Sequence, residues 1–333
     1  MTDAAYDVVG IGNAIVDIIA RCDDAFLEKQ GLAKGHMQLI DQAAAAALYD
    51  AVGPAVEISG GSAANTIAGV ASFGGKAAYI GKVADDELGR IFAHDIKASG
   101  VSFETKPSQS DTPTARSIVL VTPDAERTMS TYLGISPELN SSEVDPDIIK
   151  KSRILYLEGY LFDAPQAKEA FRLAASVAKT AECQVALTLS DGFCVDRHRS
   201  EFLSFIKDDI DILFANESEI LSLYETQSLQ TAIEKISTDA KVAAITQSEK
   251  GSVIVSGSEK HEASAEPVAA VADTTGAGDL YAAGFLFGRA RNMSLAQSAQ
   301  LGHIAAAEII SHIGARPEAS LRDLAAKHGI AFS

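Results

Sequence analysis

The 333-residue chain is short of basic side chains. Its 28 lysines and arginines stand against 45 aspartates and glutamates, a formal net charge of −17. With a sequence pI near 4.8 the surface repels polyanions, which argues against nucleic-acid wrapping and against attachment to an anionic membrane. An anionic small substrate would need a local positive site. Cysteine is scarce as well. Cys22, Cys183 and Cys194 are odd in number and unevenly spaced, and make neither a disulfide framework nor a zinc site. Met1-Thr2-Asp3 carries no basic leader, and no run of about 18 apolar residues occurs. These lacks point to the cytoplasm. The alanines at 43–47 are the one low-complexity patch, inside a helical pattern that ends near Val52.

What is present is an ordinary globular balance, with 47% hydrophobic and 22% charged residues. At roughly 150 residues per domain the length suggests about two domains, or one large α/β domain. Short apolar runs at 8–11, 77–80, 154–157, 185–189, 212–214 and 243–246 read as buried strands. Helical patterns at 63–73, 86–99, 165–178, 218–223 and 229–237 alternate with them, which predicts a mostly parallel sheet with helices on its faces. Two stretches break the alternation. Residues 18–40 and 112–133 are strand-like without a crossover helix, and the second contains a turn at Pro123-Asp124-Ala125. Together they predict a small β subdomain beside the main sheet.

Four segments carry chemistry. Asp273-Thr274-Thr275-Gly276-Ala277-Gly278-Asp279 precedes a helical run, so small residues bring free N–H groups and a helix dipole to face an anion. A carboxylate repels phosphate, so Asp279 makes better sense as a base taking a proton from a hydroxyl, with the neighbouring amides stabilising the transferring group. A glycine-rich turn with an N-capping aspartate would read the same. Ser59-Gly60-Gly61-Ser62-Ala63-Ala64-Asn65 opens a second helix and sets Asn65 one turn in, although tight helix–strand packing also uses such a run. Gly10-Ile11-Gly12-Asn13-Ala14-Ile15-Val16-Asp17 follows the first strand. It lacks the third glycine of a dinucleotide fingerprint, which excludes a classical dehydrogenase and leaves Asn13 and Asp17 as polar groups at a strand end. Asn216 and Glu219, three apart on a helix entry, suit a hydrated Mg²⁺ or a capping box.

In this order the four segments resemble the ribokinase-like (PfkB) superfamily of carbohydrate and nucleoside kinases, whose signature is DTTGAGD. The adenosine kinases resemble the chain most nearly, through GNAIVDI at 12–18, DDAFLEKQGLAKG at 23–35, GGSAANTI at 60–67, LTLSDGFC at 187–194, DILFANESE at 211–219 and LGHIAAAEII at 301–310. The resemblance implies an α/β fold: a central, mostly parallel sheet flanked by helices (1–15, 43–110 and 136–333) with a small β-sheet lid (16–42 and 111–135). It implies transfer of phosphate from ATP to the 5′-hydroxyl of adenosine, with Asp279 as base and Gly276, Ala277 and Gly278 as anion hole. Asn13, Asp17, Gly60, Gly61 and Asn65 would hold the ribose, and Ile15, Met37, Leu39 and Leu133 would pack the base. Asn216, Thr246, Gly251, Thr274 and His303 would meet the nucleotide, and Glu219 would reach Mg²⁺ through water. A monovalent cation stays open as a further cofactor. The partners implied are small molecules only, in a monomer or homodimer.

The chain departs from that pattern at Arg116, where a small or apolar residue is expected, and at Ser248, where glycine is usual. Arg116 and Arg127 flank the turn in the small β subdomain and are candidates for phosphate or substrate. Two alternatives remain: a sugar kinase acting on ribose, fructose or a keto-deoxy sugar acid, and a catalytically silent binding regulator.

Overall fold

The computed structural model describes residues 4–124 and 126–332. Met1-Thr2-Asp3 and Ala125 of the expected turn lie outside the described residues. In chain order the strands are β1 Tyr6–Ile11, β2 Ile15–Arg21, β3 Met37–Leu39, β4 Ala55–Gly60, β5 Ala77–Ile80, β6 Val101–Phe103 and β7 Ala115–Val121. They continue as β8 Arg127–Tyr132, β9 Ser152–Glu158, β10 Gln184–Thr188, β11 Ile212–Asn216, β12 Val242–Thr246, β13 Ser252–Ser256 and β14 Glu259–Ala263.

Each of the six apolar runs becomes a strand of one nine-stranded sheet, ordered β14-β13-β12-β11-β10-β9-β1-β5-β6. All its pairs are parallel except β12–β13 and β13–β14 at one edge. Successive side chains point to opposite faces, so Ile154 and Tyr156 of β9 join one apolar layer while Leu155 and Leu157 join the other. The first layer packs against the helices Ser62–Ser72, Ala277–Ala290 and Leu295–Ile309. The second packs against Pro165–Thr180 and Gly192–Asp209, where Phe162 stacks on Phe202 at 4.1 Å between ring centres.

Register brings the polar strand ends to one rim. Ile11 pairs with Leu157, Glu158 with Thr188, Thr188 with Phe214, and Asn216 with Thr246. Asn13, Glu158, Asn216 and Thr246 therefore share the carboxyl-end edge, where open α/β sheets hold their ligands.

The two irregular stretches build a second sheet, ordered β3-β8-β7-β2-β4. Two details differ from the sequence expectation. β4 belongs to this sheet, antiparallel to β2, although residues 55–60 fall outside the stretches 16–42 and 111–135. Its half-exposed, mixed composition gave no buried-strand pattern. A seven-residue helix, Asp24–Gln30, also interrupts the first stretch, capped by Asp23 and ended by left-handed Gly31. It buries only Leu27, so its period was too short to register.

Two of the crossings between the sheets lie together. Ile135 N–H donates to the Pro113 carbonyl, while Thr114 gives its N–H and hydroxyl to Asp86 and accepts from Ala84 N–H. Gly134 has φ 49°, and an added Cβ would lie 2.3 Å from the Pro113 oxygen. Gly134→Ala is therefore expected to destabilise the chain by about 1–3 kcal/mol. Urea denaturation of the two proteins measures it, and an unchanged midpoint would show that the crossing yields.

Candidate active site

Small residues from 274 to 278 lead into the helix Ala277–Ala290, whose N-cap is left-handed Gly276. Asp279 sits in the first turn but caps nothing. Its carboxylate instead accepts from Ser62 Oγ at 2.6 Å and from Asn65 Nδ2 at 3.0 Å, while Thr66 Oγ1 donates to its carbonyl. Two glycine-rich helix entries more than two hundred residues apart are thus bonded through one carboxylate. The capping reading of Asp279 is set aside by this geometry.

Between the two sheets lies a cavity of about 740 Å³. Asn13, Ile15, Asp17, Met37, Leu39, Gly61, Asn65 and Leu133 line its acceptor side, and Thr274, Gly276, Ala277, Gly278 and Asp279 its floor. Asn216, Glu219 and Thr246 line the far side. Asn13 is clamped: its N–H and Nδ2 both donate to Glu158 Oε1, and its carbonyl accepts from Tyr79 OH at 2.8 Å. Glu158 Oε2 also accepts from Ala63 N–H at the entry of the second helix. The Oδ1 atoms of Asn13 and Asn65 are buried without a partner, two acceptors suited to ligand hydroxyls. Gly60 lies below the surface rather than on it. A Cβ there would sit 2.3 Å from Asp17 Oδ2, so glycine makes room for the carboxylate.

The cavity is short of positive charge. Among the described residues Asp17, Glu158, Asp163, Asp191, Glu219 and Asp279 line it against one cation, Arg197, which is spent bidentately on Asp163. Burial pushes Asp17 up to about 6 despite the nearby Arg127 and Arg316, and pushes Glu158 and Glu219 up to about 7. Burial also raises Asp279, opposed by the bonds from Ser62 and Asn65 and by Arg316.

On the far side Asn216 and Glu219 form a capping box: Glu219 N–H donates to Asn216 Oδ1, and Glu219 Oε2 accepts Asn216 N–H. Their amide and carboxylate also bond each other at 2.7 Å. Among the described residues no group of three metal-ligating side chains occurs. Gly251 and His303 do not line the cavity. Gly251 turns the chain at φ 99°, and His303 is buried, bonded to Ser252 and edge-on to Tyr281. Arg116 lies over the Tyr49 ring at 5.9 Å, away from the cavity wall. Arg127 ion-pairs with Asp273, joining β8 to the loop before Asp279.

Several lining residues escaped the sequence reading. Glu158 follows the apolar run 154–157, where a lone acid ending a buried strand was the available signal. Ser62 stood inside the second glycine segment. Tyr160 and Phe193, the latter 77% exposed at the cavity edge, carried no periodic signal.

The sequence model of the pfkB family carbohydrate kinases matches residues 36–321. The chain belongs to that family. Its members are ATP-dependent kinases acting on sugar or nucleoside alcohols, and the fold is the ribokinase-like one. The crystal structure of an adenosine kinase from Sinorhizobium meliloti is similar at 55% identity and TM-score 0.91, over 98% of this chain and 100% of that one. A probable sugar kinase from Rhizobium etli is similar at 49% identity and TM-score 0.92, over 98% and 99%. Probable fructokinase-6 of Arabidopsis thaliana is 31% identical over 72% of this chain, and the match spans 64% of that relative's length. Among the described residues no helix is long and apolar enough to cross a membrane.

The buried acids also set a pH dependence. Glu158 and Glu219 hold protons more tightly folded, at about 7, than at the ordinary 4.5. Folding therefore takes up protons in that window, and stability falls as pH rises through it. His303, held down to about 4 by burial, opposes the trend only below the ordinary 6.5. The ligand-free melting temperature should fall between about pH 6.5 and 7.5, and Glu219→Gln should flatten the fall. A rising curve there would contradict these environments.

Proposed function

We propose that the chain transfers the γ-phosphoryl group of ATP to the 5′-hydroxyl of adenosine. The observation that carries this is Asp279, held by Ser62 and Asn65 at the floor of a cavity whose opposite wall is apolar. Asp279 accepts the hydroxyl proton as the new O–P bond forms and the bond to ADP breaks. The amides of Gly276 and Gly278, at a helix start, face the charge on the transferring group, whereas the Ala277 N–H expected beside them already donates to the Thr274 carbonyl at 3.2 Å. Asn13, Asp17 and Asn65 receive the ribose hydroxyls, and Glu158 keeps Asn13 in place. Ile15, Met37, Leu39 and Leu133 on the small sheet cover the base, with Tyr160 and Phe193 at the cavity edge.

A nucleoside is favoured over a sugar acid because, among the described residues, no uncommitted cation lines the cavity and Arg116 is turned away. The excess of carboxylates fits a divalent metal, and Mg²⁺ with its waters suits Glu219, Asn216 and Asp191. Bound with ATP, Mg²⁺ supplies charge neutralisation of the phosphates. The small sheet acts as a lid that excludes water, the competing acceptor. Three unpaired thiols agree with a cytoplasmic setting.

ADP release is the test, with adenosine, other nucleosides, ribose, fructose and keto-deoxy sugar acids as acceptors. Adenosine should give the highest kcat/KM, and a sugar in first place would overturn the acceptor assignment. Asp279→Ala should lower kcat by about 10²–10⁴-fold with adenosine still bound. Turnover within a few-fold of the unaltered chain would remove the base.

A further inference from the structure

The loop 311–319 contributes to the cavity yet carries none of the motifs. Ala315 lines the cavity, 3.1 Å from the place a Cβ on Gly276 would occupy. The loop is fastened at both ends. Gly314 N–H donates to Asp273, while Glu308 Oε1 accepts from Glu318 N–H, Ala319 N–H and His312.

From this loop Arg316 reaches under the second glycine-rich entry. Its Nε donates to the Ser59 carbonyl at 2.9 Å, Nη2 to Ser59 Oγ at 2.8 Å, and Nη1 to the Ala64 carbonyl. Ser59 passes the contact on, giving its N–H and hydroxyl to Asp95 at 2.8 and 2.6 Å. Arg316 is half-buried, and its guanidinium is held by these three acceptors. Among the described residues it makes no direct ion pair. A half-buried cation without a touching carboxylate is costly unless a nearby field offsets it.

That field comes first from Asp95, which Ser59 holds against the clamp, and then from the site's own Asp17 and Asp279. Asp17 and Asp279 both feel Arg316. The charged and titratable groups around Asp279 are Asp17 on β2, Tyr156 and Glu158 on β9, Glu219 in the first turn of the helix after β11, Tyr160 and Arg316. Arg127 acts on Asp17 but is already paired with Asp273. Arg316 is thus the cation that serves both carboxylates.

We propose that Arg316 is a positioning residue for phosphoryl transfer, clamping the 59–64 entry beneath the acceptor and supplying the counter-charge of Asp17 and Asp279. The proposal rests on Asp279 being the base. The clamp fixes Ser62 and Asn65, the two donors to Asp279, because Ser62 lies within the segment that Arg316 grips and Asn65 directly follows it. The charge keeps Asp279 ionised at a lower pH than burial alone would allow.

The pH profile of kcat separates charge from packing, measured with whichever acceptor the unaltered chain uses best. A wrong acceptor then shows in the acceptor panel, and a wrong Arg316 only in the variants. Arg316→Met should move the acid limb upward by about one pH unit, so that the loss at low pH exceeds the loss on the plateau by about 10-fold. Arg316→Lys retains the charge and loses the fork. It should keep the acid limb and raise the acceptor KM by about 10-fold. Ser59→Ala should raise KM several-fold and leave the limb in place. An Arg316→Met profile that is uniformly lower, with an unmoved limb, would overturn the counter-charge. Should Arg316→Met not give a cooperative melt, the other two variants decide: an unchanged KM in Arg316→Lys, or a shifted limb in Ser59→Ala, refutes the proposal.

Discussion

The site depends on one carboxylate with two donors. Asp279 belongs to the first turn of one helix, and Ser62 and Asn65 belong to the first turn of another. Their bonds bring two helix N-termini to one point, so the positive ends of two helix dipoles meet beside the Asp279 carboxylate. The packing of these two helices over the same face of the large sheet holds that convergence in place. Local propensity alone could not, since Gly276 and Gly61 are flexible entries without side-chain caps.

The cost is electrostatic. Asp17, Glu158, Glu219 and Asp279 are all raised by burial, and among the described residues the cavity has one lining cation. Hydrogen bonds from Asn13, Ala63, Ser62 and Asn65 meet part of that cost. On the proposed reading a metal-bearing nucleotide would meet more of it. An acid-lined cavity in a chain of net charge −17 is a poor receptor for a bare polyphosphate and a good one for a metal-neutralised one.

Strands with continuous apolar runs were legible because both faces of the large sheet are covered, as for Ile154–Tyr156 and Val185–Leu187. β4 was not, since Ala55 and Val56 are exposed and it lies at the edge of the small sheet. Asp279, Asn13, Asp17 and Asn65 were legible because glycine-rich entries mark backbone approach. Glu158 and Arg316 were not. Each acts across a long sequence separation, on Asn13 and on Ser59, and neither stands in a spacing that local periodicity or capping would single out. His303 illustrates the converse: a histidine in a family-like segment turned out to be a buried partner of Ser252.

The central claim is that Asp279 receives the acceptor hydroxyl while keeping its own two donors. A crystal structure with Mg²⁺, a non-hydrolysable ATP analogue and adenosine tests it directly. The account predicts the 5′-oxygen within hydrogen-bond distance of the Asp279 carboxylate, with Ser62 and Asn65 still bonded to it. An acceptor hydroxyl held instead by Glu219 or Glu158, with Asp279 turned away, would contradict it.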